Sequence, residues 1–334
     1  MSLGIDEPAA ADSEPERPTV IGGSTRFVPG QSNDRITIVN GKVQLGQRLI
    51  DLWRNRDLLI LLTRTELKVK YKESVLGYAW SMLNPALVLA IYYAVFKIIA
   101  RTQQPQFAIW LFCGLLAWNL FNNSAMGSTT VVVGKAGIIK KVAFPRELLA
   151  MSTVGVALVL FAIQLVVLVV FLVGFQVTPA WSYVPLLPLA LVALMVFTAA
   201  VSIFLSAVNV YLRDTQHLTE VLLMAWFWGT PIVYTYGQIS QTVTTHPAFL
   251  WVKYAYLCNP VTPVVMTFQR AIYGKTSYIA AKNNSSHAVT HVLPNWGVGT
   301  YAGLLGVVLA VGIGLFLLAL IVFGRLEGNF AEEL

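Results

Sequence analysis

Uncharged polar and aromatic side chains lie deep inside two apolar runs of this sequence, where they could line a passage. In run 107–133 the asparagines lie roughly 12 to 17 residues from one end, near mid-bilayer at about 1.5 Å per residue, and run 218–236 carries tryptophans at a similar depth. Amides can bond sugar hydroxyls, and indole rings can pack on the apolar faces of sugars. The pattern favours a wall for a large, neutral, amphipathic molecule, and plain packing of helices is the alternative. The predicted lining residues are Trp80, Asn119, Asn122, Asn123, Trp226, Trp228 and Tyr234.

The sequence lacks the motifs of nucleotide hydrolysis and metal catalysis. Gly134 and Lys135 are followed by Ala136, and Thr129 occupies the place of the first glycine of a Walker A loop. No HExxH, CxxC or GxSxG sequence and no pair of carboxylates at catalytic spacing occurs. We therefore expect no catalytic residue, no metal site and no cofactor in this chain.

Acidic residues are also missing from the middle of the apolar runs. The nearest is Glu220, about one helical turn inside the end of run 218–236. Carriers driven by protons or sodium ions usually place an acid near the membrane midplane. This position therefore disfavours an ion-driven carrier.

The composition is that of a membrane protein. Of its 334 residues, 56% are hydrophobic and 12% are charged. Soluble domains are typically about 25% charged, roughly twice as much. No charged residue occurs between Glu147 and Arg213, an interval long enough for two spans and a turn. The net charge of +7 comes from basic residues that flank apolar runs, a pattern of membrane topology and not of nucleic-acid binding.

Six apolar runs predict an all-α integral membrane protein with six transmembrane helices. An even number of spans places both termini on one side, and 17 of the 23 basic residues fall on that side. We therefore predict a multi-pass protein of the plasma membrane with both termini in the cytoplasm. The predicted spans are 76–99, 107–133, 148–175, 184–211, 218–236 and 298–323, which together form a permease domain over 76–334.

The chain before the first predicted span divides into two segments. Residues 1–42 are polar and interrupted by proline, which indicates a flexible cytoplasmic tail, with no signal peptide expected. Residues 43–75 are amphipathic and basic, which favours a helix lying in the membrane interface. Near Leu67 the pattern alternates as in a strand, but no second strand is near enough to pair with it. The residues assigned to this interfacial helix are Trp53, Arg54, Arg64, Glu66, Lys68, Lys70, Tyr71 and Lys72.

Two connections are more than simple loops. The cytoplasmic turn 134–146 mixes apolar and basic residues, so it could dock a partner, although a basic loop that only sets topology is the alternative. The external region 237–297 contains an apolar stretch broken by Pro260 and Pro263. Two short re-entrant helices at a pore mouth would explain it, and so would an external cap.

Five segments, in order along the chain, resemble the permease subunits of ATP-binding-cassette (ABC) polysaccharide exporters, the branch that includes O-antigen, teichoic-acid and actinobacterial galactan transporters. The resemblance covers about residues 45–334, and the segments are LKVKYKESVLGYAWSMLNP (67–85), AFPREL (143–148), YLRD (211–214), TPIVY (230–234) and NPVTPVVMTFQR (259–270).

The resemblance implies a homodimer of this chain with two copies of a separate ABC ATPase, which would bind the ATP and Mg²⁺. It implies export of a lipid-linked polysaccharide, such as a galactan, with the lipid anchor passing between the first and fifth spans. The interfacial helix and the cytoplasmic turn would contact the ATPases, the latter through Ile138, Ile139, Lys140, Lys141, Phe144 and Arg146. The external gate would comprise Asn259, Pro260, Pro263, Phe268 and Arg270.

Two other functions remain open at this point. The same scaffold could export a drug or a lipid. A membrane glycosyltransferase is the further alternative, for which Asp214 and Glu147 are the candidate acids. Two isolated acids, however, make a poor metal site.

Overall fold

The computed structural model describes Val20–Ile21, Ser24–Thr25 and residues 45–72, 77–99, 101, 104–142, 144–245, 250–275, 277–282 and 286–333. Contacts divide the chain into a unit over Met1–Lys42 and a unit over Val43–Leu334. In the first, β1 (Val20–Ile21) pairs with β2 (Ser24–Thr25) in antiparallel fashion. The rest of the predicted tail lies outside the described residues.

The second unit is mostly helical, as predicted. Its helices are α1 Leu45–Arg54, α2 Arg56–Tyr71, α3 Trp80–Tyr93 with a π-helical extension Ala94–Ile99, α4 Phe107–Gly134, α5 Ala136–Ile139, α6 Glu147–Gly174, α7 Leu186–Tyr211, α8 Thr215–Trp228, α9 Tyr236–Thr245, α10 Leu250–Cys258, α11 Val261–Phe268 with a π-helical extension Gln269–Tyr273, α12 Val298–Leu326 and α13 Phe330–Glu333.

Four helical segments are long and apolar enough to cross a membrane. They are Met82–Ile99, Glu147–Gly174, Leu186–Tyr211 and Val298–Asn329. Helix α4 is also long, with 28 residues, but asparagines lower its hydropathy. Helix α8 has only 14 residues. At about 1.5 Å per residue its length is about 21 Å, which is shorter than a hydrocarbon core of about 30 Å.

The prediction of one continuous fifth span over 218–236 is therefore wrong. The helix ends at Trp228 because Gly229 and Pro231 follow, and proline supplies no backbone N–H to continue the ladder. The total of six crossings stays a prediction.

The buried core surrounds α4, which packs on α6, α7 and α11. Helix α7 also packs along α12, and the two backbones approach closely at Gly312, where a Cβ atom would lie 3.3 Å from the backbone nitrogen of Phe197. A second cluster of buried apolar residues lies at the end of the bundle where α6 begins and includes Leu148, Phe323 and Phe330.

The second unit contains a hairpin that was not predicted. Strand β3 (Ser277–Lys282) pairs with β4 (Ser286–His291) in an antiparallel hairpin, with Ser277 opposite His291. The hairpin joins the α11 extension to α12, so the protein is not purely helical. Two short runs separated by Asn-Asn-Ser carry a recognisable hairpin signal in the sequence.

Candidate functional site

Two adjoining cavities of about 310 Å³ and 420 Å³ lie beside α3 and α4 and share Val88, Asn119 and Asn122 in their walls. We call the two together the amide groove. The first cavity is lined by Lys70, Tyr71, Trp80, Asn84, Pro85, Val88, Asn119, Asn122, Asn123, Leu160 and Gln164. The second is lined by Val88, Tyr92, Leu115, Trp118, Asn119, Asn122, Glu220, Leu223, Met224, Phe227 and Trp228.

The groove brings together five of the seven predicted lining residues. Those five are Trp80, Asn119, Asn122, Asn123 and Trp228. Asn119 donates a 3.3 Å hydrogen bond to Oε1 of Gln164 across the α4–α6 interface. The side chains of Asn122 and Asn123 are half-buried and form no hydrogen bond to another residue that the structure describes. Their amides are therefore available to a polar molecule in the groove.

Trp226 and Tyr234 have other positions. The Trp226 ring lies 5.0 Å from the ring of Phe121, centroid to centroid, and its Nε1–H donates to Asn259. The hydroxyl of Tyr234 bonds the backbone oxygen of Trp228 and lies 2.7 Å from the hydroxyl of Tyr256. Neither residue lines the groove. Trp226 instead packs between helices, which is the alternative explanation given above for the deep aromatic residues.

The backbone that follows α8 is buried without being helical. Side chains satisfy two of its carbonyl oxygens: Nε1 of Trp110 donates to the oxygen of Ile232 at 3.2 Å, and Nε2 of Gln269 donates to that of Pro231 at 3.4 Å. Irregular backbone at membrane depth requires such cover by protein or water. Gly114 makes room for this segment, since a Cβ there would lie 2.9 Å from Cγ2 of Ile232.

Asn259 connects this irregular segment to the start of α11. Its Oδ1 accepts from Nε1 of Trp226 at 2.9 Å and from the backbone N–H of Val261 at 3.0 Å. Its Nδ2 donates to the oxygen of Gly229 at 3.2 Å and to Oγ1 of Thr230 at 2.9 Å. One side chain thus fixes the end of α8 against the start of α11.

The residues predicted for the external gate are packed into the protein. All eight residues of α11, including Pro263 and Phe268, are buried, and Pro260 immediately precedes the helix. The guanidinium of Arg270 lies 4.3 Å from the ring centre of Tyr183 and donates to the backbone oxygen of Gly274. The prediction that this region opens and closes stays a prediction.

Known proteins match the part of the chain that contains the amide groove and α11. The model of the ABC-2 type transporter family matches residues 57–273. Two O-antigen export system permease proteins RfbA of Klebsiella pneumoniae are 36% and 33% identical over 213 residues, which is 64% of this chain and 79% of each relative. An O-antigen export system permease protein RfbA of Myxococcus xanthus is 32% identical over 223 residues, which is 67% of this chain and 83% of that relative.

This chain belongs to the ABC-2 type transporter family. The resemblance seen in the five sequence segments is confirmed by the family match and by the relatives. Membership makes the chain an integral membrane protein and implies an ABC ATPase as its partner.

In this ABC-2 transporter the turn predicted to contact the ATPase presents some of the predicted residues and buries others. Ile138 is 50% exposed, and Lys140 and Lys141 are exposed too. Ile139 is buried, and Phe144 is half-buried against the second apolar cluster. Only the exposed members are available to a partner.

Arg146, the last predicted contact residue of this turn, instead holds the C-terminal segment. Its NH1 donates to the backbone oxygen of Glu327 at 2.9 Å, and its guanidinium lies 6.0 Å from the ring centre of Phe330. Arg48 of α1 joins the same cluster through ion pairs with Glu147 and Glu327. A Cβ at Gly324 would lie 2.8 Å from the guanidinium carbon of Arg48, so only a glycine at this position leaves room for the Arg48 side chain.

The predicted interfacial helix consists of two helices, α1 and α2, which meet at Asn55. Trp53 is 74% exposed, and Arg54, Arg64, Lys68 and Lys72 are exposed as well. Glu66 forms an ion pair with Lys135, near the start of the cytoplasmic turn 134–146. Helix α2 continues through Tyr71, so the strand-like alternation that begins near Leu67 belongs to a helix, and Lys70 and Tyr71 reach the amide groove.

Asn84 and Gln164 also line the groove and were not predicted. Gln164 is the sole amide or charged side chain between Glu147 and Gln176, and this isolation in an apolar run was a usable signal. Asn84 lies beside Pro85 near the start of a span and gave no such signal. Among the residues that the structure describes, no group of three His, Cys, Asp or Glu side chains is placed to hold a metal ion.

Proposed function

We propose that this chain is the membrane subunit of an ATP-driven exporter that moves a lipid-linked polysaccharide, of galactan, O-antigen or teichoic-acid type, out of the cytoplasm. The observation that carries the proposal is the amide groove, in a chain whose relatives are named O-antigen export permeases. Five carboxamide side chains line the first cavity, and aromatic rings line the second.

The chemistry of this groove suits a glycan better than an apolar cargo. Carboxamides both donate and accept hydrogen bonds, as sugar hydroxyls do. Trp228 is 51% exposed and offers an indole face at the groove wall. An exporter of drugs or apolar lipids would have little use for unpaired amides, because each would lose its bonds to water without replacement.

The proposed assembly is a homodimer of this chain with two separate ABC ATPases, which bind ATP and Mg²⁺. In the proposed orientation, both termini and the turn that contains α5 lie in the cytoplasm. The reason is that most basic residues fall in these segments, and basic residues favour the cytoplasmic side. Exposed Ile138 and Val142, next to Lys140 and Lys141, give this turn an apolar and basic surface suited to an ATPase groove. Each ATP cycle would be transmitted through this contact.

The test is depletion of the chain in its native cells, combined with affinity purification of the tagged chain. We expect depletion to accumulate a lipid-linked glycan in the inner leaflet and the purified complex to contain an ATPase with a Walker A motif. Ile138→Asp should lower recovery of the ATPase severalfold, whereas Val173→Asn, an exposed apolar position near the end of α6, should not. Accumulation of a drug or a sugar-free lipid instead of a glycan would refute the proposed cargo.

A further inference from the structure

Four charged side chains meet where α6 begins, and they come from three separate parts of the chain. Arg48 lies on α1, and Glu327 follows α12. Arg146 and Glu147 lie where the cytoplasmic turn 134–146 joins α6. Arg48 pairs with Glu147, and its Nη2 lies 3.0 Å from Oε2 of Glu327. Nε of Arg146 lies 3.7 Å from Oε1 of Glu327. We call this neutral group of two cations and two carboxylates the ionic joint.

Glu327 is the central member of the ionic joint. Within the described part of the chain its carboxylate contacts both arginines, whereas Glu147 pairs with Arg48 alone. Its backbone oxygen also accepts a hydrogen bond from Arg146 at 2.9 Å. The side chains of Arg146 and Glu327 are 23% and 22% exposed, so their attraction is screened less than that of a surface pair. Without this carboxylate, Glu147 would be the single acid facing two cations.

The segment that carries Glu327 is fixed to the bundle. Phe330 is fully buried, and its ring lies 5.3 Å from that of Phe323 and 6.1 Å from that of Tyr211, centroid to centroid. The hydroxyl of Tyr211 donates to the backbone oxygen of Leu326 at 2.8 Å. Glu327 is therefore presented by well-packed backbone, from which it can hold α1 and the turn against α7 and α12.

Helix α1 depends on the ionic joint for its position. It has 10 residues, fewer than the about 12–15 that an isolated helix needs to be even marginally stable. Of its residues, all of which the structure describes, only Leu52 is buried, while Ile50 and Trp53 are exposed. The ion pairs of Arg48 therefore supply a large part of the attachment of α1 to the bundle.

Ion pairs lie at both ends of the cytoplasmic turn. Lys135, near its start, pairs with Glu66 of α2. Arg146 and Glu147, at its end, belong to the ionic joint. The turn is thus connected to α2 at one end and to α1 at the other. A displacement of the turn would be passed to these two helices and, through Glu327, to the end of α12.

We propose that Glu327 is a positioning residue for ATP-driven transport: through the ionic joint it makes α1, the cytoplasmic turn and the end of α12 move as one body when the ATPase moves the turn. This inference rests on the proposed function and adds the residue that transmits the movement. Arg48 and Glu327 both lie outside residues 57–273, the part of the chain that the family model matches.

The test uses the complete complex of this chain and its ATPase in vesicles that contain a lipid-linked glycan. It measures the rate of ATP hydrolysis and the amount of glycan transferred per ATP hydrolysed. Glu327→Gln removes the charge and keeps the shape, and the control Glu333→Gln changes an exposed acid of the same segment. We expect Glu327→Gln to lower transfer per ATP about fivefold, or about 1 kcal/mol, while hydrolysis stays within about twofold of wild type. Glu333→Gln should leave both unchanged.

Two further measurements separate this role from a merely structural one. Arg146→Gln should also lower transfer per ATP, and the double variant should lose no more than Glu327→Gln alone, because Arg146 acts through Glu327. Amide hydrogen exchange of Leu45–Arg54 should rise in Glu327→Gln and not in Glu333→Gln, because α1 loses part of its attachment. If Glu327→Gln does not fold, Glu327→Asp carries the test, since its shorter carboxylate keeps the charge but reaches less far, and it should also lower transfer per ATP.

Each outcome gives a decision. Unchanged transfer per ATP in the Glu327 variants, equal losses in Glu327→Gln and Glu333→Gln, or additive losses with Arg146→Gln would overturn the inference. A parallel loss of hydrolysis, ATPase recovery and transfer would mean that Glu327 only stabilises the fold, and would overturn it as well.

Failure of this inference can be told apart from failure of the proposed function. A wild-type complex that transfers glycan, with no effect of Glu327→Gln, refutes this inference alone. A wild-type complex that hydrolyses ATP without transferring glycan, while Glu327→Gln still raises hydrogen exchange in α1, refutes the proposed function alone.

Discussion

Replacing Asn259 by alanine should separate the end of α8 from the start of α11. The side chain makes four hydrogen bonds, to Trp226, Gly229, Thr230 and Val261. At about 1 kcal/mol per bond, the loss amounts to about 4 kcal/mol of the free energy of unfolding. At about 2 °C per kcal/mol for large domains, the melting temperature should fall by about 8 °C.

The assay is thermal unfolding of the purified chain in detergent, followed by tryptophan fluorescence, which also reports the loss of the Trp226 contact. Asn122→Ala is the matched control, since Asn122 is half-buried and forms no hydrogen bond to another described residue. We expect this control to change stability by less than about 1 kcal/mol and to impair export instead.

Two outcomes would refute this reasoning. Equal falls in melting temperature for Asn259→Ala and Asn122→Ala would mean that the hydrogen bonds of Asn259 contribute nothing of their own. A fall of less than about 2 °C for Asn259→Ala would correspond to about one bond and not four.

Two further substitutions test the packing. Gly114→Ala should lower the free energy of unfolding by about 1–3 kcal/mol, because the added methyl group overpacks against Ile232. By contrast, the Cβ added by Gly303→Ala would meet nothing within 4 Å apart from its chain neighbours and the local helix backbone, so this variant should unfold at or above the wild-type temperature. Arg48→Met should cost about 3–5 kcal/mol because buried Glu147 loses its partner, and adding Glu147→Met should recover most of that loss. Denaturant unfolding measures the free energy of unfolding of the single and the double variant. If the double variant recovered none of the stability lost in Arg48→Met, the pairing of Arg48 with Glu147 would be contradicted.

The membrane class and most helices could be predicted because apolar runs report burial in lipid directly. Run 218–236 misled because hydropathy does not distinguish a continuous helix from one that ends at Trp228 and continues as covered, irregular backbone. The cover comes from Trp110, Gln269 and Asn259, which are distant in sequence. Only the three-dimensional structure shows that these side chains supply the missing bonds.

The candidate site was predicted in part for a similar reason. Asn119, Asn122 and Asn123 stood out because polar residues are costly in an apolar run. Trp226 stood out equally, but its Nε1–H donates a hydrogen bond to Asn259 and its ring packs against the ring of Phe121. Depth in a span thus identifies an unusual residue, while its partners decide whether it faces a cavity.

The most direct test of the central claim is transport in vesicles loaded with a lipid-linked glycan, where a glycan-degrading enzyme outside reports arrival. The account predicts transfer when this chain, its ATPase and ATP are all present, and strong loss of transfer when Asn119 and Asn122, which both cavities share, are replaced by leucine. Transfer at the same rate without the ATPase, or with the groove filled by these leucines, would contradict it.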